Sequence, residues 1–287
     1  MDVAVIGAGR VGTAMAVLLR RAGHRIVAVS GTDATRERAE RHLPDVPMVS
    51  NRDAAREATL VLIGTPDATI EPVAGELARA GALREGVAVA HFSGATGLDA
   101  LEAARAVGAT TMSIHPLQTC PDVEASIARI PGSAFAVTGL TEEGYALGER
   151  LARDVGGRPF RLDDAMKPLY HAAAVLASND LVVLASLAES MAAAAGVPDP
   201  PAAFMPLQRA TLDNIEVFGP AGALTGPVVR GDAATVERNL EAVHRHAPEA
   251  MPVYVALADV ALDLAERSGR LGPEARAAVG EVLDRWR

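Results

Sequence analysis

The chain is poor in cysteine and in aromatic residues, and both shortages narrow its class. Among 287 residues there is one cysteine, Cys120, which excludes an intrachain disulfide and a multi-cysteine metal site and fits a reducing cytosol. Aromatic residues make up 3% of the chain, whereas hydrophobic residues make up 49%. This composition predicts a sizeable core of small aliphatic side chains, which suits closely packed helices.

Excess basic charge and long uncharged apolar runs are also missing. The formal net charge of -9 argues against a nucleic-acid partner, because a phosphate backbone is bound by a basic surface. The apolar N-terminal stretch is interrupted by glycines and by Arg10 and has no basic leader, unlike a signal peptide. No charge-free apolar run reaches the ~18 residues of a membrane span. We therefore expect a cytoplasmic protein with no nucleic-acid partner and no membrane partner.

Two regions of different pattern follow one another along the chain. In residues 1–163, short apolar runs alternate with helix-like segments, which predicts an α/β domain with a doubly wound, mostly parallel sheet. In residues 164–287 the strand signal stops, which predicts an all-α C-terminal domain that begins with a long helix, Ala165–Ala195. The predicted strands are Asp2–Ile6, Arg25–Val29, Leu60–Ile63, Val87–His91, Thr110–Ile114, Ala134–Val137 and Pro159–Leu162.

A glycine-rich loop follows the first predicted strand and opens an apolar helix. Its sequence matches G-x-G-x-x-G, and this strand–loop–helix setting is the one in which the motif binds a dinucleotide. The first glycine allows a tight turn, the second lets the backbone approach a pyrophosphate, and the third lets the helix pack on the strand. The alternative is a simple tight turn with no ligand. The residues predicted to bind the cofactor here are Gly7, Ala8, Gly9, Arg10, Val11 and Gly12.

The end of the second predicted strand indicates which dinucleotide binds. An NAD site usually has Asp or Glu there for the ribose 2′-hydroxyl, whereas this chain has Ser30, with Arg36 and Arg38 shortly after it. A small hydroxyl residue near a guanidinium suits a 2′-phosphate, so we predict that Ser30 and Arg36 bind NADP(H) in preference to NAD(H). Two alternatives stay open: that the arginines are solvated charges on a helix, and that Asp33 binds a 2′-hydroxyl.

Small and polar residues follow three further predicted strands. Thr65 and Pro66 follow the third strand and are predicted to line the cofactor, which binds at the carboxyl edge of such a sheet. His91 and Ser93 mark the end of the fourth strand, and His115 follows the fifth. A histidine at this edge can polarise a carbonyl or imine or pass a proton, and the alternative is a structural histidine. No carboxylate or cysteine cluster accompanies the histidines, so no metal site is predicted.

The long predicted helix carries polar residues on an apolar background. Lys167, His171 and Ser178 share one helix face, and Asn179 lies beside it. Polar groups on an apolar helix need partners or a cavity. Either they form a hydrogen-bonded network between helices, or this face closes the crevice and Lys167, His171 and Asn179 bind or protonate a substrate.

The chain resembles the β-hydroxyacid-dehydrogenase-type reductases. They include ketopantoate reductase, pyrroline-5-carboxylate reductase, prephenate dehydrogenase and the F420-dependent NADP reductases. More closely, the chain resembles a bacterial family of Rossmann-like proteins whose C-terminal helical domain has no known function. The segments that carry the resemblance are His91–Ala95, Ser113–Thr119, His171–Asn179 and Leu224–Asp232.

The resemblance implies a Rossmann cofactor domain, a helical domain that forms an intertwined homodimer around the long helix, and hydride transfer between NADP(H) and a small carbonyl or imine compound. In ketopantoate reductase a helix lysine and an asparagine contact the substrate, and Lys167 and Asn179 are the plausible counterparts.

Residues and resemblance together predict an NADPH-dependent reductase of a small carboxylated 2-oxo or imino compound, with ketopantoate as the first guess. The rival hypothesis is a non-catalytic NADP(H)-binding sensor or scaffold, because a fold does not fix a function. The predicted catalytic residues are His91, Ser93, His115, Lys167, His171 and Asn179.

Overall fold

The computed structural model describes all 287 residues, which form two compact units, Met1–Ser178 and Asn179–Arg287. The division between the units falls inside the long helix. The functional boundary expected between residues 163 and 164 stays a prediction.

The first unit is built on one seven-stranded sheet. All neighbouring strands pair in parallel except β5 and β6, which are antiparallel. Because β1, β3, β4 and β5 run in one direction, their carboxyl ends lie on one edge of the sheet. In spatial order the strands are β2 (Arg25–Ser30), β1 (Asp2–Ile6), β3 (Leu60–Ile63), β4 (Ala88–His91), β5 (Thr110–Pro116), β6 (Ala134–Gly139) and β7 (Arg158–Arg161).

Helices cover both faces of this sheet. Side chains alternate along β1, so that Val3 and Val5 join one buried cluster while Ala4 and Ile6 join another on the opposite face. Strands buried on both faces confirm the predicted doubly wound α/β fold. The helices of this unit are α1 (Arg10–Arg21), α2 (Asp33–His42), α3 (Asn51–Arg56), α4 (Asp67–Arg79), α5 (Glu102–Ala106), α6 (Val123–Arg129) and α7 (Glu142–Asp154).

The structure differs from the sequence prediction in short elements. Helices α3, α5 and α6 were not predicted, because segments of 6, 5 and 7 residues are too short to develop a helical apolar period. Strand β5 also runs on to Pro116, so His115 lies within the strand and pairs with Ala136 of β6 rather than following the strand.

The second unit is entirely helical, as predicted. Helices α10 to α12 enclose a small core that includes Val236, Leu240, Leu262, Val279 and Leu283. Helix α9 has no buried residue and is kinked at Gly219, whose φ of 68° lies in the left-handed region. The helices are α8 (Lys167–Ala194), which begins in the first unit, α9 (Pro200–Ala223), α10 (Ala233–His246), α11 (Met251–Arg267) and α12 (Pro273–Asp284).

Helix α8 with its leading turn is long and apolar. Asp164–Ala194 spans 31 residues with a mean hydropathy of 1.5 in an 18-residue window, so by length and composition it could cross a membrane. Asp180 and Glu189 interrupt the apolar run, which is why no charge-free span was expected. An apolar helix that packs among other helices has the same composition, so this one helix is weak evidence for a span.

Candidate functional site

The glycine loop between β1 and α1 is tightly packed at two of its three glycines. Gly7 has a φ of 88°, and a Cβ there would lie 2.7 Å from Thr65 Cγ2. A Cβ on Gly12 would lie 2.6 Å from the carbonyl oxygen of Gly7. Both positions therefore need glycine for the fold itself, because the loop, the helix and the β3–α4 connection approach one another closely.

Gly9, in contrast, is not required by packing. Its φ of -72° suits any residue, and the nearest atom to an added Cβ is 3.6 Å away. The backbone N–H groups of Arg10, Val11 and Gly12 have no acceptor in the protein, and the first turn of α1 contains no acidic residue. Unpaired donors at a helix N-terminus attract an anion. The loop therefore fits the pyrophosphate of a dinucleotide, with Gly9 leaving it room.

Thr65 lies next to Gly7 of this loop. That Thr65 and Pro66 line the cofactor stays a prediction. The hydroxyl of Thr65 is buried and has no hydrogen-bond partner. Pro66 directly precedes α4, and the carboxylate of Asp67 accepts a 2.6 Å hydrogen bond from Ser93 Oγ. The loop after β3 is thereby joined to the loop after β4.

Ser30 and Arg36 are not brought together as free phosphate ligands. Ser30 is buried, and its hydroxyl donates to Asn51 Oδ1 at 2.7 Å. Its carbonyl oxygen accepts from the N–H groups of Gly7 and Ala8. Arg36 is exposed, with Nε 3.8 Å from Asp33 Oδ1. The partner of Ser30 comes from α3, a helix that the sequence did not reveal.

Two other arginines lie closer to the glycine loop. Arg38 donates to the carbonyl oxygen of Ala8 at 3.4 Å, and Arg10 donates to that of Pro121 at 3.1 Å. Both line a cavity of about 300 Å³ between α2 and the start of α6. Arg41, in the same cavity, lies 3.6 Å from a carboxylate oxygen of Glu37. Neither Arg10 nor Arg38 has a carboxylate within 4.0 Å, so their charges are free to meet an anion.

A buried and a partly buried histidine lie on the neighbouring strands β4 and β5. His91 is fully buried, and its Nδ1 accepts from the N–H of Ser93 at 3.2 Å. Burial lowers the pKa of His91 to about 3, with the charge of Lys167 adding to the effect. His115 Nδ1 is 2.9 Å from the hydroxyl of Tyr170, and burial lowers the pKa of His115 to about 4. Both imidazoles are therefore neutral at physiological pH.

Gly94 packs directly against the rings of His115 and His171. A Cβ on Gly94 would lie 2.9 Å from His115 Nε2 and 3.0 Å from His171 Nδ1, so this position needs glycine. His171 Nδ1 is buried without a hydrogen-bond partner. Two ring nitrogens therefore lie close together at the backbone of Gly94, and neither has a polar partner in the protein.

Lys167 is the only lysine of the chain, and it is fully buried. Its ammonium donates to the carbonyl oxygen of Ser93 at 3.0 Å and to Ser113 Oγ at 2.8 Å. Burial lowers the pKa of Lys167 to about 8, and the carboxylates of Asp164 and Asp67 oppose that shift. The ammonium joins the ends of β4 and β5 to the start of α8.

Five of the six predicted catalytic residues lie within the first unit, and the contacts above connect them. The sixth, Asn179, belongs to the second unit, is exposed and has no side-chain hydrogen bond. The sequence prediction missed Ser113 and the link from Asp67 to Ser93. Ser113 lies in the middle of β5 beside His91, and Asp67 begins the helix after β3, so the strand order would have been the signal that found them.

Comparison with known proteins agrees with this architecture. Residues 1–116 match the Rossmann-like domain, and residues 133–261 match the Domain of unknown function (DUF2520). These two matches confirm the resemblance to Rossmann-like proteins with a C-terminal helical domain of unknown function. Among proteins with curated functions, none matches the chain.

Solved structures share the fold at low sequence identity. BF3122 from Bacteroides fragilis has a TM-score of 0.73 at 20% identity, with 91% of this chain and 97% of that chain covered. An imine reductase from Myxococcus stipitatus in complex with NADP+ has a TM-score of 0.68 at 16% identity, covering 100% and 99%. A reductive aminase from Aspergillus terreus in complex with NADPH and ethyl levulinate has a TM-score of 0.65 at 17% identity, covering 100% and 99%. At these identities the likeness establishes the fold.

The buried position of Lys167 predicts an unusual titration. Because this is the only lysine, selective ¹³C labelling of lysine gives one side chain to follow by NMR. We expect the native protein to titrate at a pKa of about 8, against 10.5 for an ordinary lysine. Between these values the unfolded chain binds more protons than the native one, so this group makes the unfolding free energy rise with pH. The same labelled chain in denaturant is the control, and a native pKa near 10.5 would show that the ammonium is solvated.

Proposed function

We propose that the chain is an NAD(P)-dependent reductase that uses NADPH. The observation that carries the proposal is one sheet edge with two complementary sites. After β1 it presents the unpaired N–H groups of α1, and after β4 it presents Gly94 between two ring nitrogens without protein partners. A dinucleotide bound at the first site extends along the carboxyl edge of a doubly wound sheet toward the second. The bound NADP+ and NADPH of the two reductases with the same fold support this assignment.

The choice of NADPH over NADH rests on the free guanidiniums beside the loop. Arg10 and Arg38 have only carbonyl oxygens as partners, and we propose that they bind the 2′-phosphate together with Arg36. Ser30 contributes through its carbonyl oxygen, which fixes the N–H groups of Gly7 and Ala8.

The proposed chemistry divides between cofactor and protein. Bound NADPH supplies the hydride for reduction of a carbonyl or imine carbon. His115 and His171 hydrogen-bond the substrate oxygen or nitrogen on which negative charge develops. Lys167 holds the loop at Ser93 and Gly94 in place. His91 is buried beneath the loop and orients Ser93 through the backbone.

The substrate class that we propose rests on the family resemblance. We propose a small carboxylated 2-oxo or imino compound, and ketopantoate is the first to test because of the family resemblance.

We also propose a homodimer through the helical unit. Large apolar side chains on the second part of α8 and on α9 are exposed, including Val182 at 69% and Val217 at 70%. Exposed apolar side chains of this kind are typical of an association site. We propose a second copy as the partner, because the family resemblance implies a homodimer around the long helix. Light scattering should give twice the mass of the chain, and a monomer would contradict this assignment.

Paired alanine substitutions in the glycine loop separate its two tasks. Gly9→Ala should leave the unfolding free energy nearly unchanged and weaken NADPH binding at least ~10-fold, because the Cβ enters only the ligand space. Gly12→Ala should destabilise the protein by ~1–3 kcal/mol, because its Cβ meets the Gly7 carbonyl. Urea unfolding and fluorescence titration measure the two quantities. Unchanged NADPH binding by Gly9→Ala would contradict the pyrophosphate site.

Arginine substitutions on α2 test the choice of dinucleotide. Arg38→Ala should weaken NADPH binding by ~10- to 100-fold and change NADH binding little, as expected for loss of a charge-assisted hydrogen bond to phosphate. Arg41→Ala, three residues further along the same helix, is the matched control and should have a smaller effect, because the guanidinium of Arg41 already lies 3.6 Å from the Glu37 carboxylate. Equal losses for NADPH and NADH in the Arg38 variant would show that it does not recognise the 2′-phosphate.

The reductase assignment is tested by following the absorbance of NADPH with a panel of 2-oxo acids and cyclic imines. We expect oxidation with at least one carboxylated compound and a loss of kcat in His115→Asn by ~10²-fold or more. Tight NADPH binding with no turnover across the panel would favour a dinucleotide-binding sensor.

A further inference from the structure

The hydroxyl of Tyr170 is paired with the side of His115 that faces away from Gly94. Tyr170 Oη lies 2.9 Å from His115 Nδ1, and the two rings meet edge to face at 5.6 Å with an interplanar angle of 84°. Phe160 packs against Tyr170 at 5.9 Å from the other side. The tyrosine ring is thereby held between β7 and the histidine, on the first turn of α8.

This contact determines which nitrogen of His115 carries the proton. The Tyr170 hydroxyl has one hydrogen, and His115 Nδ1 is its only hydrogen-bond partner in the protein. If Nδ1 carried the imidazole proton, the hydroxyl would accept from it and the hydroxyl hydrogen would have no acceptor in the protein. Tyr170 therefore donates, Nδ1 accepts, and the N–H lies on Nε2.

The Nε2 proton then lies on the opposite side of the ring from Tyr170. Nε2 has no acceptor in the protein, and His171 Nδ1 near it has no partner either. The charged and titratable groups that face His115 are Lys167, His171 and Asp67, and none of them hydrogen-bonds its ring. A carboxylate on Nδ1 would make the ring a cation, whereas the hydroxyl keeps it a neutral donor.

We propose that Tyr170 is a positioning residue that holds His115 as the Nε2–H donor toward substrate and shares its own proton with the ring during reduction. As the substrate oxygen or nitrogen takes the Nε2 proton, the Tyr170 proton moves to Nδ1, so the ring stays neutral and the developing charge rests on the tyrosine oxygen. When product leaves, solvent water returns a proton to Nε2 and the Nδ1 proton returns to the tyrosine. Each turnover consumes one solvent proton besides the hydride. The proton sharing during reduction rests on the proposed function, whereas the protonation of Nε2 in the free protein does not.

The test begins without cofactor or substrate. In protein with ¹⁵N-labelled histidine, assigned with a His115→Asn variant, we expect His115 at pH 7 to show a protonated Nε2 and an unprotonated Nδ1. Tyr170→Phe, which keeps the ring and removes only the hydroxyl, should shift the Nδ1 resonance and introduce the other tautomer. Tyr145→Phe removes a hydroxyl that donates to Leu162 instead, and it should leave His115 unchanged.

Two spectral results would overturn the proposal: a protonated Nδ1 in the wild type, or a His115 spectrum that Tyr170→Phe does not alter. Kinetics provides the second readout. Tyr170→Phe should lower kcat by ~10- to 100-fold while KM and the NADPH dissociation constant stay within about twofold. An unchanged kcat would overturn the proton sharing. Absence of turnover in the wild type would remove the sharing together with the proposed function, whereas the spectra decide the tautomer independently.

Discussion

The ammonium of Lys167 holds together the elements that form the site. It sits at the start of α8, and its two hydrogen bonds reach the loop after β4 and the side chain of Ser113 on β5. A fully buried cation with two protein acceptors is strongly oriented, because leaving either acceptor unpaired in the interior is costly. The position of Gly94 between His115 and His171 depends on this link.

Lysine suits this position for reasons that arginine does not satisfy. Apart from the histidines, every other basic residue of the chain is arginine. The one lysine is therefore also the fully buried cation. An ammonium is a compact charge that needs few acceptors and shifts its pKa when buried, whereas a guanidinium stays charged and brings five donors. The single charge also acts on its neighbours, because it lowers the pKa values of His91 and His115 and keeps both rings neutral.

Much of the fold was predictable because its signals are local. The strands of the sheet are continuous apolar runs, and the glycine loop was recognisable from its place between one such run and an apolar helix. The catalytic candidates His91, Ser93 and His115 were predictable for a related reason: parallel strands end at one edge, so polar residues at those ends meet. Lys167 and His171 were found through their common helix face.

Predictions failed or stayed open where a partner comes from a short or distant element. The hydroxyl of Ser30 is engaged by Asn51 from α3, which has too few residues to show a period. Asp67 accepts from Ser93, a contact set by strand order rather than by sequence spacing. Arg38 reaches the glycine loop through a long flexible side chain, and sequence spacing does not determine its direction.

We propose that a dinucleotide bound at the glycine loop delivers its reactive carbon to the ring nitrogens of His115 and His171. A crystal structure with NADP+ tests it directly. We predict that nicotinamide C4 lies within about 6 Å of both His115 Nε2 and His171 Nδ1, the span of two hydrogen bonds through one substrate atom. A nicotinamide ring ordered elsewhere on the sheet edge, beyond that reach of both rings, would contradict the claim.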